Sequence, residues 1–320
     1  MSQTPAQLTW NKAQLLSEVG AFDWTAAATL NSASWRSYLD FFALPQASSA
    51  ITHQAGVLHC ANFDLMLQAW SPKEPCATAY LVHGLHDHVG LYRHLIHYCL
   101  AHNWRVVAFD LPGHGLSSGK ANVIDSFQRY DQVFTEILHS IQQHYAEPIR
   151  VFGQSTGGAI IINYLLKNAV KQSHSPFVSV HLIAPLIRPR EWKKLFLLPV
   201  LKPFKTEIKR GKSLNSHDQD FLNLVWHQDP LQAKALSMNW ALSAYEWMKF
   251  IEKQKPSDVP VQIAQGDDDR TVAWKKNLKV LKEKFPKQKL FLIANGRHHL
   301  VNESAEIRQK MWDFFDQENA

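Results

Sequence analysis

From about residue 56 the chain alternates short apolar runs with longer stretches in which apolar residues recur every three or four positions. ATAYLVHG (77–84), WRVVAFD (104–110), IRVFG (149–153), FVSVHLIAP (177–185), VPVQIAQG (259–266) and KLFLIAN (289–295) are nearly continuous in apolar residues. Such runs predict strands buried on both faces. Between them, LYRHLIHYCLAHN (91–103) and GGAIIINYLLKNA (157–169) read as helices. So does the series Phe127, Tyr130, Phe134, Ile137, Leu138, Ile141, whose spacing draws one apolar stripe along a helix. A further helix is predicted from near Glu303 to Phe315, and GVLHCANFDLMLQAW (56–70) reads as two strands around a polar turn. Strands alternating with helices predict an α/β fold with a mostly parallel central sheet and helices on both faces.

The alternation breaks once. Between Pro185 and about Glu252 no buried strand is legible, only helical and basic-aromatic sequence, so this interval is expected to be an inserted helical cap. The organisation expected is an N-terminal helical extension packed on the core (1–54), a first part of the core (55–185), the cap (186–252) and a second part of the core (253–320). The extension carries Trp10, Trp24, Trp35, Tyr38, Phe41 and Phe42, too apolar for a disordered tail, and SASWRSYLDFFAL (32–44) predicts a serine-capped helix.

Composition changes little in this picture. The chain has 320 residues, 46% hydrophobic and 19% charged, which excludes wholesale disorder. Cys60, Cys76 and Cys99 are too few and too scattered for a disulfide framework and fit a reducing compartment. The opening MSQTPAQLTWNKAQLL lacks the basic and apolar regions of a secretory leader, and no apolar run approaches the roughly 18 residues of a spanning helix. The expected location is cytoplasmic. A net charge of +6 raises nucleic acid or an anionic membrane as partners, but no nucleic-acid motif stands behind it.

The chemistry starts at VFGQSTGG (151–158). A strand, Gly-x-Ser-x-Gly and a helix form a nucleophile elbow: the abrupt turn lifts the serine hydroxyl above the sheet edge, and only glycine fits at positions 153 and 157. The five-letter pattern alone is weak, since GLSSG (115–119) matches it too. Context separates them. Gly115 follows a Pro-Gly-His loop and Gly119 leads into no helix, so Ser155 is the candidate nucleophile and Ser117 a loop residue.

A serine hydroxyl needs a histidine to take its proton and a carboxylate to orient that histidine. VPVQIAQGDDDRTVAW (259–274) ends a strand in three aspartates. Asp269 is the expected acid, three residues past the turn at Gly266, with Asp268 the alternative. The last strand runs into Gly296-Arg297-His298-His299, where either histidine stands in the position the chemistry requires. Backbone N–H groups of Thr156, just after the serine, and Leu85, in the loop after ATAYLVHG, are the candidate oxyanion hole.

These motifs together resemble the monoacylglycerol lipase and lysophospholipase family of α/β-hydrolases, a group overlapping the serine aminopeptidase-like proteins, over about residues 55 to 315. HGLHDHVGLY is similar to the family's HGxGEHxxxY through His83, Gly84, His88 and Tyr92, with Asp87 for the usual glutamate and His86 where the second glycine is normally found. FDLPGHGLSSG is similar to D-x-x-GHG-x-S-x-G through Asp110, Gly113, His114, Gly115, Ser117 and Gly119, which accounts for the second serine match. GRHHLVNE resembles GARHELLNE, whose single histidine falls on His298, leaving His299 a supporting or surface residue. The resemblance implies a serine hydrolase of α/β-hydrolase fold with a helical cap, acting on esters without a cofactor. His83, Gly84, Gly153, Gly157, His88 and His114 would support the elbow and the oxyanion loop.

His83, His86, Asp87 and His88 cluster, but a dinuclear metallohydrolase has His-x-His-x-Asp-His and here the first gap is a residue too long, so no metal is expected. Epoxide or haloalkane hydrolysis would need aspartate at 155. A small-ester or amide hydrolase, an acyltransferase using the same acyl-enzyme, and a non-catalytic receptor on the same fold stay open beside a monoacylglycerol or lysophospholipid hydrolase. Leu186 to Lys212 holds nine basic residues against Glu191 and Glu207, interleaved with Trp192, Phe196 and Phe204. That segment is either a lid that contacts anionic membrane or an ordinary cap with a solvated face.

Overall fold

A computed structural model of the protein describes residues 9–25, 30 and 32–317. Residues 1–8, which bear on the expectation of a missing leader, lie outside the described ones, as do 26–29, 31 and 318–320 of the expected extension and core.

The helices α1 (Lys12–Ser17) and α2 (Ala33–Phe41) come first, the second capped by Ser32, whose hydroxyl accepts from Trp35 N at 3.2 Å. Strands β1 (Ile51–Cys60) and β2 (Phe63–Pro72) form a hairpin around Ala61 and Asn62, both at positive φ as a two-residue turn demands. There follow β3 (Ala77–Val82), α3 (Arg93–Ala101), β4 (Trp104–Phe109), α4 (Phe127–His144), β5 (Ile149–Gln154), α5 (Thr156–Lys167) and β6 (Phe177–Ile183). The alternation resumes with β9 (Gln262–Gly266), α9 (Trp274–Lys284), β10 (Lys289–Ile293) and α10 (Ala305–Asp316).

The eight long strands make one sheet in the order β1-β2-β4-β3-β5-β6-β9-β10, in which only the pairs made by β2 are antiparallel. Two apolar layers sandwich it. Tyr80, Phe134, Ile161 and Val151 belong to one; Trp70, Phe152, Ile183 and Phe315 belong to the other. The last strand departs from the expectation of burial on both faces: Leu290 and Leu292 are exposed, because β10 is a sheet edge and α10 covers only the Phe291 side, where Phe291 and Phe314 rings lie 5.4 Å apart.

The interval between β6 and β9 is not purely helical. Beside α6 (Leu198–Leu201), α7 (Gln219–Asn223) and α8 (Met238–Glu252) it holds a two-stranded ribbon of β7 (Glu207–Lys209) and β8 (Ala235–Ser237). Pro199, Pro203 and Gly211 interrupt any long helix before α7. The N-terminal segment is pinned to the core. Trp10 packs on Tyr38, Phe41 and Phe42, Lys12 Nζ donates to Gly115 O and Ser117 O at 2.8 and 2.9 Å, and Phe22 N donates to Val57 O at 2.9 Å. Among the described residues no helix is long and apolar enough to cross a membrane.

Candidate active site

The site is built where β5 turns into α5. Ser155 has φ 53° and ψ −110°, a conformation costly for any residue with a side chain, and its N–H donates to Ile183 O at 2.8 Å. The tightness of that turn is visible in its glycines: a Cβ on Gly157 would stand 2.0 Å from Val82 O, and one on Gly153 2.6 Å from the Gly157 carbonyl carbon. Neither can be anything larger.

Ser155 Oγ lies 3.0 Å from His298 Nε2, and His298 Nδ1 lies 2.8 Å from Asp269 Oδ2. A carboxylate only accepts, so the imidazole proton sits on Nδ1 and the Nε2 lone pair faces the serine hydroxyl. Asp269 is held in turn: Oδ1 accepts from Thr271 N at 2.8 Å and Val272 N at 3.1 Å, and Oδ2 from Gln265 Nε2 at 3.0 Å. Burial alone would depress the pKa of His298, but the Asp269 carboxylate and its hydrogen bond outweigh that and hold it above the ordinary histidine value. Burial would likewise lift Asp269, and the His298 partnership brings it below the usual carboxylate range. Asp268 is elsewhere, paired with Arg270 at 2.9 Å and Arg297 at 3.6 Å near the surface.

Ser117 is not near this chemistry in its bonding. Its hydroxyl donates to Asp110 O at 2.6 Å and accepts from Met66 N at 2.9 Å, fastening the loop after β4 to β2.

The loop after β3 lies against Ser155: a Cβ on Gly84 would be 3.4 Å from Ser155 Cβ. Among the described residues the N–H groups of Leu85 and Thr156 make no hydrogen bond in the turns and loops, and Thr156 opens α5, where free N–H groups and the helix dipole favour negative charge. Several side chains fix this loop. His83 donates from Nδ1 to Gly84 O at 2.7 Å and accepts from Leu111 N at 2.8 Å through Nε2, and burial depresses its pKa to about 3, so it stays neutral. Gly84 N donates to Tyr92 Oη at 2.9 Å, and Tyr92 donates to Asp87 Oδ2 at 2.9 Å. His88 reaches Asp229 at 2.8 Å, tying the loop to the segment before β8, and His114 donates from Nδ1 to Pro112 O at 2.9 Å.

Two features were not legible in the sequence. His299, read as a supporting or surface residue, is buried and its Nε2 lies 3.0 Å from Asp87 Oδ1, a second histidine–aspartate pair beside the first. His86 stands at φ 67°, the left-handed region that a glycine takes without strain, and is held there by Asn122 Nδ2, 2.6 Å from His86 Nδ1. The unusual residue at this position thus keeps a glycine-like backbone. No local signal could have paired either couple, which are 212 and 36 residues apart.

The mostly parallel sheet, the strained serine at the strand–helix elbow and the histidine on the loop after the last strand are the features of an α/β-hydrolase, and the chain is a serine ester hydrolase of that class. It belongs to the family described as serine aminopeptidase, S33, whose model matches residues 73–305. An uncharacterized abhydrolase domain-containing protein of Dictyostelium discoideum is 30% identical over 216 residues, 64% of this chain, and this chain spans only 22% of that relative's length. Mouse monoglyceride lipase is 27% identical over 258 residues, covering 76% of this chain and 83% of the relative. Among solved structures, a soluble variant of yeast monoglyceride lipase in complex with a substrate analog superimposes with a TM-score of 0.70 at 18% identity, over 85% of this chain and 95% of that one. The monoacylglycerol lipase of Paleococcus ferrophilus gives 0.67 at 21% identity, over 79% and 98%. These likenesses carry the fold.

Proposed function

We propose that the protein cleaves the carboxylic ester of a monoacylglycerol or lysophospholipid through an acyl-enzyme on Ser155. The observation that carries this is the hydrogen-bonded chain Ser155–His298–Asp269, ending on a serine forced above the sheet at the start of α5. His298 Nε2 takes the hydroxyl proton as Oγ attacks the ester carbonyl, Asp269 holds the imidazolium, and the N–H groups of Leu85 and Thr156 receive the oxyanion. His298 then gives its proton to the departing alcohol, and water attacks the acyl-enzyme by the same route in reverse.

The lipid character of the substrate is supported by the relatives named as monoglyceride lipases and by the surface of the interval after β6. Phe196, Leu197, Val200, Phe204 and Leu214 are exposed there, Phe204 at 86%, among the exposed Lys193, Lys202, Lys205 and Lys209. Apolar side chains ringed by lysines suit a cap that rests on an anionic membrane surface. Trp192 takes less part, being half-buried under the Arg188 guanidinium. The cytoplasmic side of a membrane is the location this reading implies. A second reading, cleavage of a small amide or ester, draws on the family's description as serine aminopeptidases.

A chain-length series of p-nitrophenyl esters, run beside a monoacylglycerol and an aminoacyl anilide, tests the proposal. A rise in kcat/KM with acyl length and turnover of the glycerol ester are expected. Preference for the anilide or for acetate would replace the lipid reading with the second one.

A further inference from the structure

Two of the chain's departures from the motifs it resembles meet in space. Asp87 stands for the glutamate of HGxGEHxxxY, and His299 for the glutamate that follows the histidine in GARHELLNE. Across 212 residues of chain, His299 Nε2 lies 3.0 Å from Asp87 Oδ1, and both residues are buried. Two glutamates here would set one carboxylate against another; the aspartate–histidine couple makes a charge-assisted hydrogen bond instead.

The surrounding bonds fix which atom gives and which takes. Asn302 Nδ2 donates to Leu91 O at 2.7 Å and to His299 Nδ1 at 3.3 Å, so the His299 proton sits on Nε2 and goes to Asp87. Among the described residues His299 is the only donor to Asp87 Oδ1. His299 is itself fixed, its N–H donating to Asn215 O at 2.8 Å. The other carboxylate oxygen of Asp87 accepts from Tyr92 Oη at 2.9 Å, which leaves the phenol lone pairs to Gly84 N, its donor at 2.9 Å. Asp87 also grips the far end of Gly84, since its N–H donates to Gly84 O at 3.2 Å. His83 Nδ1 donates to the same carbonyl at 2.7 Å. A trans peptide is planar, so with the Gly84 oxygen held this way the Leu85 N–H must point the opposite way. His83 and Asp87 thus aim the Leu85 N–H, and His299 holds Asp87.

We propose that His299 is a positioning residue for the oxyanion: through Asp87 it keeps the Leu85 N–H in place relative to His298, its own neighbour in the chain. The base and the oxyanion donor belong to loops after β10 and after β3, and this pair is the brace that joins them. The inference rests on the roles of Ser155, His298 and Leu85 proposed above, and holds for any ester. Such a brace matters when charge builds on the carbonyl oxygen, and it leaves binding of the uncharged ester alone.

Hydrolysis of p-nitrophenyl butyrate and fluorine NMR of a trifluoromethyl ketone, both on the full chain, test it. Ser155 Oγ adds to the ketone carbon, its proton passes to His298, and the former carbonyl oxygen takes the negative charge, so the adduct reports the oxyanion site without turnover. His299→Ala should lower kcat about 30-fold and weaken the ketone by the same factor, short of the roughly 10²–10³ lost when an oxyanion donor is removed outright. KM should stay within about twofold. His299→Gln, whose amide nitrogen can stand where Nε2 stands, should come within about threefold of the wild type. A merely structural role would lower Tm and the folded fraction while leaving ketone affinity per folded molecule unchanged. That result, a loss confined to KM, or a glutamine variant no better than alanine overturns the proposal. Where His299→Ala does not fold, Tyr92→Phe cuts the same relay at the phenol and must show the joint loss of kcat and ketone affinity; wild-type values in it also overturn the brace. Ser155→Ala separates the two readings. If it still turns over the ester and binds the ketone, the serine reading fails and takes the brace with it. If it is inactive while His299→Ala and Tyr92→Phe match the wild type, the brace alone fails.

Discussion

Ser155 and Ser117 occupy the middle of the same five-letter pattern, yet replacing each by alanine should fail in opposite ways. Ser117 is 1% exposed and makes two hydrogen bonds, donating to Asp110 O and accepting from Met66 N. Its loss removes two bonds worth about 1 kcal/mol each and leaves the Met66 N–H buried without an acceptor, for a total of about 2–4 kcal/mol. At roughly 2.1 cal/mol/K per residue, 320 residues unfold with an entropy near 0.7 kcal/mol/K, so Tm should fall by about 3–6 °C. Activity per folded molecule should be nearly kept, because the hydroxyl faces neither His298 nor the loop at Gly84. Ser155→Ala gives up only the contact with His298 Nε2, at a site 9% exposed, and should move Tm by about 1 °C or less while lowering kcat by about 10⁴. The assays are differential scanning calorimetry and burst-corrected hydrolysis of a short p-nitrophenyl ester, with circular dichroism as a check on folding. If Ser117→Ala abolishes turnover at unchanged Tm while Ser155→Ala retains it, the assignment of the elbow serine is wrong.

Three further outcomes are expected. His298→Ala and Asp269→Asn should each cost orders of magnitude in kcat, Asp268→Asn little, and His299→Ala an intermediate tens-fold loss, since it releases Asp87 and through Tyr92 the Gly84 N–H; equal loss at both histidines would show that His299 does more than hold the loop. Because a base must be neutral to act and Asp269 raises the pKa of His298, kcat/KM should climb with pH through an apparent pKa above the ordinary histidine value of 6.5, and an acid limb centred below it would contradict the pairing. Changing Lys193, Lys202, Lys205 and Lys209 to Gln should weaken co-sedimentation with anionic vesicles by roughly three orders of magnitude, at about 1 kcal/mol per charge, while hydrolysis of a soluble short ester stays unchanged; a wild type that ignores vesicles at low salt ends the membrane reading.

The sequence made some of this legible and hid the rest for a physical reason. Hydrophobic period is a local signal, and the stripe from Phe127 to Ile141 lies in α4, its six residues buried. Strand–turn–helix context is local too, and it is the feature by which the sequence sets Ser155, at the start of α5, apart from Ser117 in a loop. The three residues that meet in the hydrogen-bonded chain each sat at the end of a legible strand. Pairings across the chain left no such trace. His299 with Asp87, His88 with Asp229 and Asn122 with His86 depend on how loops stack over the sheet, and each partner alone looks like any polar loop residue. The ribbon of β7 and β8 was hidden because three-residue strands are too short to show alternation, and β10 read as buried because its composition does not reveal that it is last in the sheet.

The sheet order has a consequence in time as well as space. Ser155 precedes His298 by 143 residues, and β9 and β10 join one edge only after the whole interval from Pro185 to Glu252 has been made. At 5–20 residues per second, a nascent chain carries its elbow serine for on the order of ten seconds before His298, the proposed base, is made. On the proposed mechanism that hydroxyl stays unactivated until then. On the mechanism proposed above, the chain could first attack an ester only once its last strand has docked, so the order of its elements would work as a built-in delay between translation and reactivity.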